Sequence, residues 1–242
     1  MRILVVNPNT TVSMTRKIGV AARSFASPAV EIIAVNPDFG PPSIEGYYDE
    51  VFSIPGIIAE MRKAGDVDAT IIACFDDTGL DAARCVSTAP VIGIGEAAFH
   101  FATFLAHKFG VVTTLARSVA PIEHNLVRYG LASRCTGVRA ANVAVLDLEK
   151  PGSNARRKIE AEIGRAIGDD GAEAIVLGCA GMTDLARELA QIAGVPVLDG
   201  VACAVVLAEG LARLALRTSK VNSYASPLAK DFVGDFARFS PQ

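Results

Sequence analysis

Cys74 closes the apolar run ATIIAC (69–74), and Cys179 closes AIVLGC (174–179). Each is followed by a short loop with glycine and threonine, FDDTG and AGMTD. A cysteine at the carboxyl end of a buried strand, beside the N–H groups of the loop and helix that follow, is placed to act as a nucleophile or base. Cysteine is also a common small buried hydrophobe, so one such residue argues for little. Two at equivalent points of two similar segments argue for paired chemistry. A thiolate on one side of a carbon and a thiol on the other can take a proton from one face and return one to the opposite face. That is what inverting a stereocentre requires, and the two groups exchange roles for the two enantiomers. The task calls for thiol pKa values near working pH, because an overly stable thiolate is a weak base. A helix N-terminus would pull the Cys74 pKa down and neighbouring Asp charge would resist. Asp76 is expected to face solvent, where its charge is screened. Cys85, Cys135 and Cys203 have no equivalent partner and read as packing residues.

Neutral hydrogen-bonding groups cluster at the same strand ends. Asn7 and Asn9 follow the first strand, and Thr113 and Thr114 end its counterpart in the second half. Asp77 and Thr78 in FDDTG, with Gly181 and Met182 in AGMTD, offer groups to hold substrate or a developing oxyanion. Thr10, Thr78 and Thr183 read equally well as helix N-caps. The loop NPDFGPPSIEGYYDE (36–50), with Ser43 and Gly46, is long for a compact domain and reads as a lid or substrate wall, or as a plain surface excursion.

These residues need elements to carry them. Strands are expected over Arg2–Asn7, Val30–Val35, Ala69–Cys74, Val91–Ile94, Phe109–Thr113, Val138–Val145, Ala174–Cys179 and Val195–Leu198. Between them lie helical patterns such as Thr11–Arg23, Glu96–Lys108, Ser118–Tyr129, Ala155–Ile167 and Thr183–Ile192. Several strands are apolar on both faces, as in parallel sheets covered by helices on both sides. The chain also repeats itself. ATIIAC aligns with AIVLGC at an offset of 105, APVIGI with VPVLDG at 106, and ILVVNPNT with FGVVTTLA at 106. The expected fold is α/β, with two pseudo-symmetric lobes. Each is a roughly four-stranded parallel sheet flanked by helices, and the site lies at their interface. Residues 1–97 with a returning segment 206–242 would make one lobe, and 98–205 the other.

At 51% apolar and 20% charged, the 242-residue chain can bury a full core. A net charge of -3 gives no electrostatic reason to expect nucleic acid, and no uncharged apolar run reaches membrane-spanning length. Five cysteines without a CxxC pair, and three histidines distant from them, suggest neither a disulfide frame nor a metal site. The N-terminal MRILVVNPNT runs straight into a strand, and a cytoplasmic protein is expected.

NPNT, PSIEGYYDE, IIACFDDTGLDAAR, FGVVTTLARS, VLGCAGM and PVLDGVACAV occur in this order from Met1 to about Glu209. Together they resemble the hydantoin racemase group of the aspartate/glutamate racemase superfamily, to which allantoin racemase is a close neighbour. The resemblance implies a cofactor-independent isomerase of 5-monosubstituted hydantoins, working on a small molecule as a homo-oligomer, with Cys74 and Cys179 as its two catalytic thiols. One departure stands out: relatives tend to carry Gly-Asp-Pro-Gly where this chain has Asp76-Asp77-Thr78-Gly79. Allantoin and Asp/Glu racemisation are the alternatives on the same scaffold. Neither cysteine loop has a basic residue to bind a carboxylate, which favours a neutral ring. A two-lobed binder without turnover would explain the lobes but not the matched cysteines.

Overall fold

Short β-rich apolar runs alternate with amphipathic stretches, and the chain folds accordingly into βα units. The computed structural model describes residues 1–150, 152–183 and 185–241. Strands β1 (Arg2–Val6), β2 (Glu31–Val35), β3 (Ala69–Ile72) and β4 (Val91–Gly93) form a parallel sheet in the order β2-β1-β3-β4. Strands β5 (Phe109–Thr113), β6 (Cys135–Ala140), β7 (Ala174–Gly178) and β8 (Val197–Asp199) form a second in the order β6-β5-β7-β8. The registers match as well as the order: Ile3 pairs with Ala69 in the first sheet, and Phe109 with Ala174 in the second. Every residue of β3 and β7 is buried, as strands covered on both faces require.

Helices α1 (Val12–Phe25), α2 (Tyr47–Ala64), α3 (Leu80–Val86) and α4 (Ile94–Leu105) belong to the first repeat, and α5 (Val119–Arg128), α6 (Ala155–Gly168), α7 (Ala186–Ala193) and α8 (Gly200–Arg213) to the second. Several expected boundaries move: β3 ends at Ile72 and β7 at Gly178, short of the cysteines, and three changes are larger. The apolar stretch after Ala140 is not strand: it leaves the sheet and packs as an irregular wall through Val145. Residues 47–50 are not loop but the first turn of α2, which carries Pro55 inside it and so reads poorly as a helix. The helix expected from Thr183 begins at Ala186, after a tight 3-10 turn over Ala180–Met182. Asp184 lies outside the described residues.

One apolar cluster draws on both sheets and joins the halves. In it Phe99 of α4 stacks on Phe109 at 5.9 Å and meets Phe75 edge-on at 5.3 Å. Helices α4 and α8 occupy equivalent places after β4 and β8 and pack on each other. Their first residues, Ile94 and Gly200, are themselves equivalent in the repeat. A Cβ at Gly200 would lie 2.6 Å from the Ile94 carbonyl oxygen, so the pseudo-symmetric close approach needs glycine. Gly200→Ala is therefore expected to lower stability by about 1–3 kcal/mol, read as a fall in the denaturant midpoint at unchanged m-value. After α8 the chain returns over the first half: Thr218 N donates to Thr88 O (2.9 Å), Lys220 Nζ to Arg84 O (2.6 Å) and Arg62 Nη1 to Arg238 O (3.1 Å).

Candidate active site

The carboxyl ends of β1, β3, β5 and β7 face one cavity between the lobes. It is lined by Asn7, Asn9, Cys74, Asp76, Thr114 and Cys179, with Met14, Ile44, Phe75 and Val145 as its apolar walls. The repeat thus brings the two cysteines, 105 residues apart in sequence, to a single space.

Each thiol is held by its own loop. Thr78 Oγ1 donates to Cys74 Sγ (3.4 Å), and Gly181 N donates to Cys179 Sγ (3.4 Å). Lys17 Nζ donates to Gly181 O (2.8 Å), which ties the second loop to α1. Thr113 Oγ1 donates to Gly178 O (3.0 Å), fixing the residue before Cys179. Asn7 Nδ2 donates to Asn9 Oδ1 (2.9 Å) and Thr15 Oγ1 (3.0 Å), and Thr11 N donates to Asn9 Oδ1 (2.9 Å). The first β–α loop is therefore held by its own side-chain hydrogen bonds.

A buried aspartate pins each cysteine loop to the helix after the next strand. Asp77 accepts from Gly95 N (3.0 Å), Glu96 N (2.8 Å) and Tyr129 Oη (2.7 Å), capping α4. Asp199 accepts from Val201 N and Ala202 N, both at 3.1 Å, and from the Thr183 hydroxyl, capping α8. The loop that precedes α2 closes over the mouth. Thr10 N donates to Pro41 O (3.0 Å), Val145 N to Glu45 Oε1 (3.2 Å), and Tyr47 Oη lies 2.7 Å from His124 Nδ1. The last two contacts cross from one lobe to the other.

A family model for Asp/Glu/Hydantoin racemases matches residues 3–208. The chain belongs to that family. It is 44% identical over 241 residues to a hydantoin racemase of Pseudomonas sp. (strain NS671), covering 99% of this chain and 97% of that one. It is 48% identical over 236 residues to a hydantoin racemase of Rhizobium meliloti, covering 97% and 98%. Among solved structures, an allantoin racemase from Klebsiella pneumoniae superposes with a TM-score of 0.96 at 44% identity over 100% of both chains. A glutamate racemase from Campylobacter jejuni subsp. jejuni, 17% identical and covering 88% of this chain and 86% of that one, shares the fold with a TM-score of 0.62. The protein is an isomerase of the racemase class.

In this racemase several expected site residues serve the scaffold instead. Asp77 turns its carboxylate to α4 and Tyr129, away from the cavity. Thr113 and Met182 are fully buried beside the site and do not line it, because one bonds to β7 and the other packs in the second lobe's core. Thr78 and Gly181 hydrogen-bond to the thiols and are not among the residues lining the cavity. Gly46 is the turn before α2 and packs near the Arg117 side chain; the loop's contribution to the lining is Ile44, with Ser43 half-buried beside it. Ile44, Val145 and Ser118 escaped the sequence reading, since single residues in loops carry no periodic signal.

Asp76 is the main correction. It is buried and lines the cavity, with Asn125 Nδ2 holding its backbone carbonyl at 2.7 Å. The thiols also differ from expectation. Burial pushes Cys74 well above its ordinary value, reinforced by the Asp76 charge and opposed by the Thr78 hydrogen bond. Burial pushes Cys179 up to about 11, against the pull of Gly181 N–H and Lys17. The helices that follow do not begin at the thiols: α3 starts six residues after Cys74 and α7 seven after Cys179. No helix among the described residues is long and apolar enough to cross a membrane, and no cluster of three or more His, Cys, Asp or Glu suited to a metal occurs among them.

Proposed function

We propose that this racemase interconverts the enantiomers of 5-monosubstituted hydantoins, with Cys74 and Cys179 as its two bases. The observation that carries this reading is that the two cysteines, equivalent in the repeat, line one cavity from opposite lobes. One thiolate takes the C5 proton, the electron pair of the broken C–H bond moves onto the adjacent carbonyl oxygen, and the opposite thiol protonates C5 from the other face. A ring carbon beside a carbonyl gives a planar, delocalised enolate, so the removed charge has a place to go. The cavity suits a neutral ring: Asn9 and Thr114 supply uncharged polar groups, and Met14, Ile44 and Val145 supply apolar contact for a C5 substituent.

Allantoin, a hydantoin with a ureido group at C5, is the second reading, favoured by the similarity to the allantoin racemase structure. Polarimetry on a panel of 5-alkyl, 5-aryl and 5-ureido hydantoins, with aspartate and glutamate as controls, tests both. Loss of rotation with only the amino acids would overturn the hydantoin proposal. The proposal extends to a cytoplasmic homo-oligomer that acts on a small molecule without cofactor, nucleic acid or membrane. It also includes the division into 1–97 with 206–242 and 98–205, which the contacts of the C-terminal segment with the first half support. Sedimentation velocity reads the subunit number.

The pH dependence follows from the buried thiols. Raised thiol pKa values leave little thiolate near neutrality, so the reactive form grows as pH rises. Racemisation at limiting substrate is expected to increase from pH 6 to 8, approaching tenfold per unit. A flat profile across that range would show that thiolate supply does not limit the rate.

A further inference from the structure

We propose that Asp76 binds the amide edge of the substrate ring as a neutral carboxylic acid, donating its O–H to the carbonyl oxygen next to C5 and accepting the neighbouring ring N–H. The proposal rests on the reading of the substrate as a hydantoin.

Asp76 is 9% exposed and lines the cavity that holds both thiols. Its backbone is fastened by Asn125, yet among the described residues its carboxyl has neither a hydrogen bond nor a salt bridge. A buried polar group left in this state costs stability, and one aimed into a cavity is completed by what enters there. The surroundings keep it protonated. Glu50 of α2 lies near it with a buried Oε1 that has no hydrogen-bond partner among the described residues, Asp77 follows it in the loop, and Tyr47 is close enough to feel its charge. Cys74 and Cys179 feel its charge, while Glu45 and the cation Lys17, which are not among the cavity's lining residues, also act on Cys179. Burial, Glu50 and Asp77 together push Asp76 up to about 8.

A carboxylic acid presents one donor and one acceptor side by side. The N–H and C=O of a cyclic amide present the complementary pair. The carbonyl in that pair is the one that becomes the enolate oxygen when C5 loses its proton to a thiolate. Asp76 keeps its own proton and strengthens its hydrogen bond as the oxygen gains charge, which is where such a donor lowers a barrier. An ionised Asp76 would do the reverse, repelling the enolate and both thiolates. The protonated state is thus part of the function.

The test uses purified wild type, Asp76→Asn and Asp76→Ala with a 5-substituted hydantoin and its N3-methyl and N1-methyl derivatives. Asparagine keeps a donor and an acceptor, and is expected to hold kcat within about tenfold; alanine is expected to lose about 10²-fold or more in kcat. Wild type should flatten its rise in rate above about pH 8 as Asp76 ionises, and Asp76→Asn should keep rising. N3-methylation should slow wild type far more than Asp76→Ala, with N1-methylation failing to separate them. Because the folded pKa is raised, the carboxyl's contribution to stability falls as pH rises from about 4 to 8, so both variants should melt at or above the wild-type Tm at pH 8. Equal N3-methyl effects in wild type and Asp76→Ala, or a lower Tm accompanying the lost activity, would overturn the proposal and leave the hydantoin reading standing. No racemisation of any hydantoin by wild type would instead remove the reading beneath it.

Discussion

Cys74→Ala and Cys179→Ala are each expected to lower racemisation by about 10³-fold or more, within the range that a positioned acid or base contributes. The two losses should not multiply, because either variant already breaks the proton relay; the double variant should be no worse than the poorer single one. Each single variant keeps one thiol against one face of the ring. In heavy water it should still exchange the C5 proton of one enantiomer without inverting it, and the two variants should select opposite enantiomers. Proton exchange by NMR together with optical rotation separates these outcomes. Full racemase activity in either variant would end the two-base assignment. Both cysteines are small and only partly exposed, so alanine leaves a minor cavity and the fold should persist.

Asp77→Ala is expected to have the largest effect on stability, about 3–5 kcal/mol. Its carboxylate satisfies two backbone N–H groups at the start of α4 and the Tyr129 hydroxyl, and alanine removes the acceptor from all three at a buried position. The backbone adds to the loss. Asp77 has φ of 51°, a left-handed conformation that Asp and Asn tolerate better than alanine. The space is also exact for this arrangement: a Cβ at Gly95 would sit 2.4 Å from the Phe75 carbonyl oxygen and 2.9 Å from Asp77 Oδ2. Equilibrium denaturation should show the full loss for alanine and a smaller one for Asp77→Asn, which keeps the shape and one acceptor. An alanine variant as stable as the parent would mean that the loop is held by something other than these three bonds.

Much of this architecture is legible in the chain because it was written twice. The offset of 105–106 residues carried the two-copy, four-stranded layout and the equivalence of Cys74 with Cys179; the strand order and register, which the two sheets share, came from the structure. Periodicity found β5 with both ends in place, since a five-residue apolar strand buried on both faces is strongly marked. It failed at α2, where Pro55 and Gly56 mimic a loop, although Gly56 is there because a Cβ would meet Pro37 at 2.8 Å. It also failed at the end of β6, where the stretch after Ala140 is apolar because Ala141 and Val143 pack in the second lobe's core and Val145 lines the cavity, not because it pairs in the sheet.

The sequence by itself pointed to the two parallel sheets and the matched pair of cysteines, because those rest on repeated local patterns, and to the racemase family, because its motifs occur in order along the chain. Only the tertiary structure decided which polar side chains face the cavity. Asp76 and Asp77 are adjacent and chemically identical, and each is buried, yet one lines the site with no carboxyl hydrogen bond among the described residues while the other caps α4 through three donors. The difference is set by where Gly95, Glu96 and Tyr129 arrive in space, 18 to 52 residues further along the chain. A carboxylate turns toward the donors that the fold brings to it, and that choice is invisible until the chain is packed.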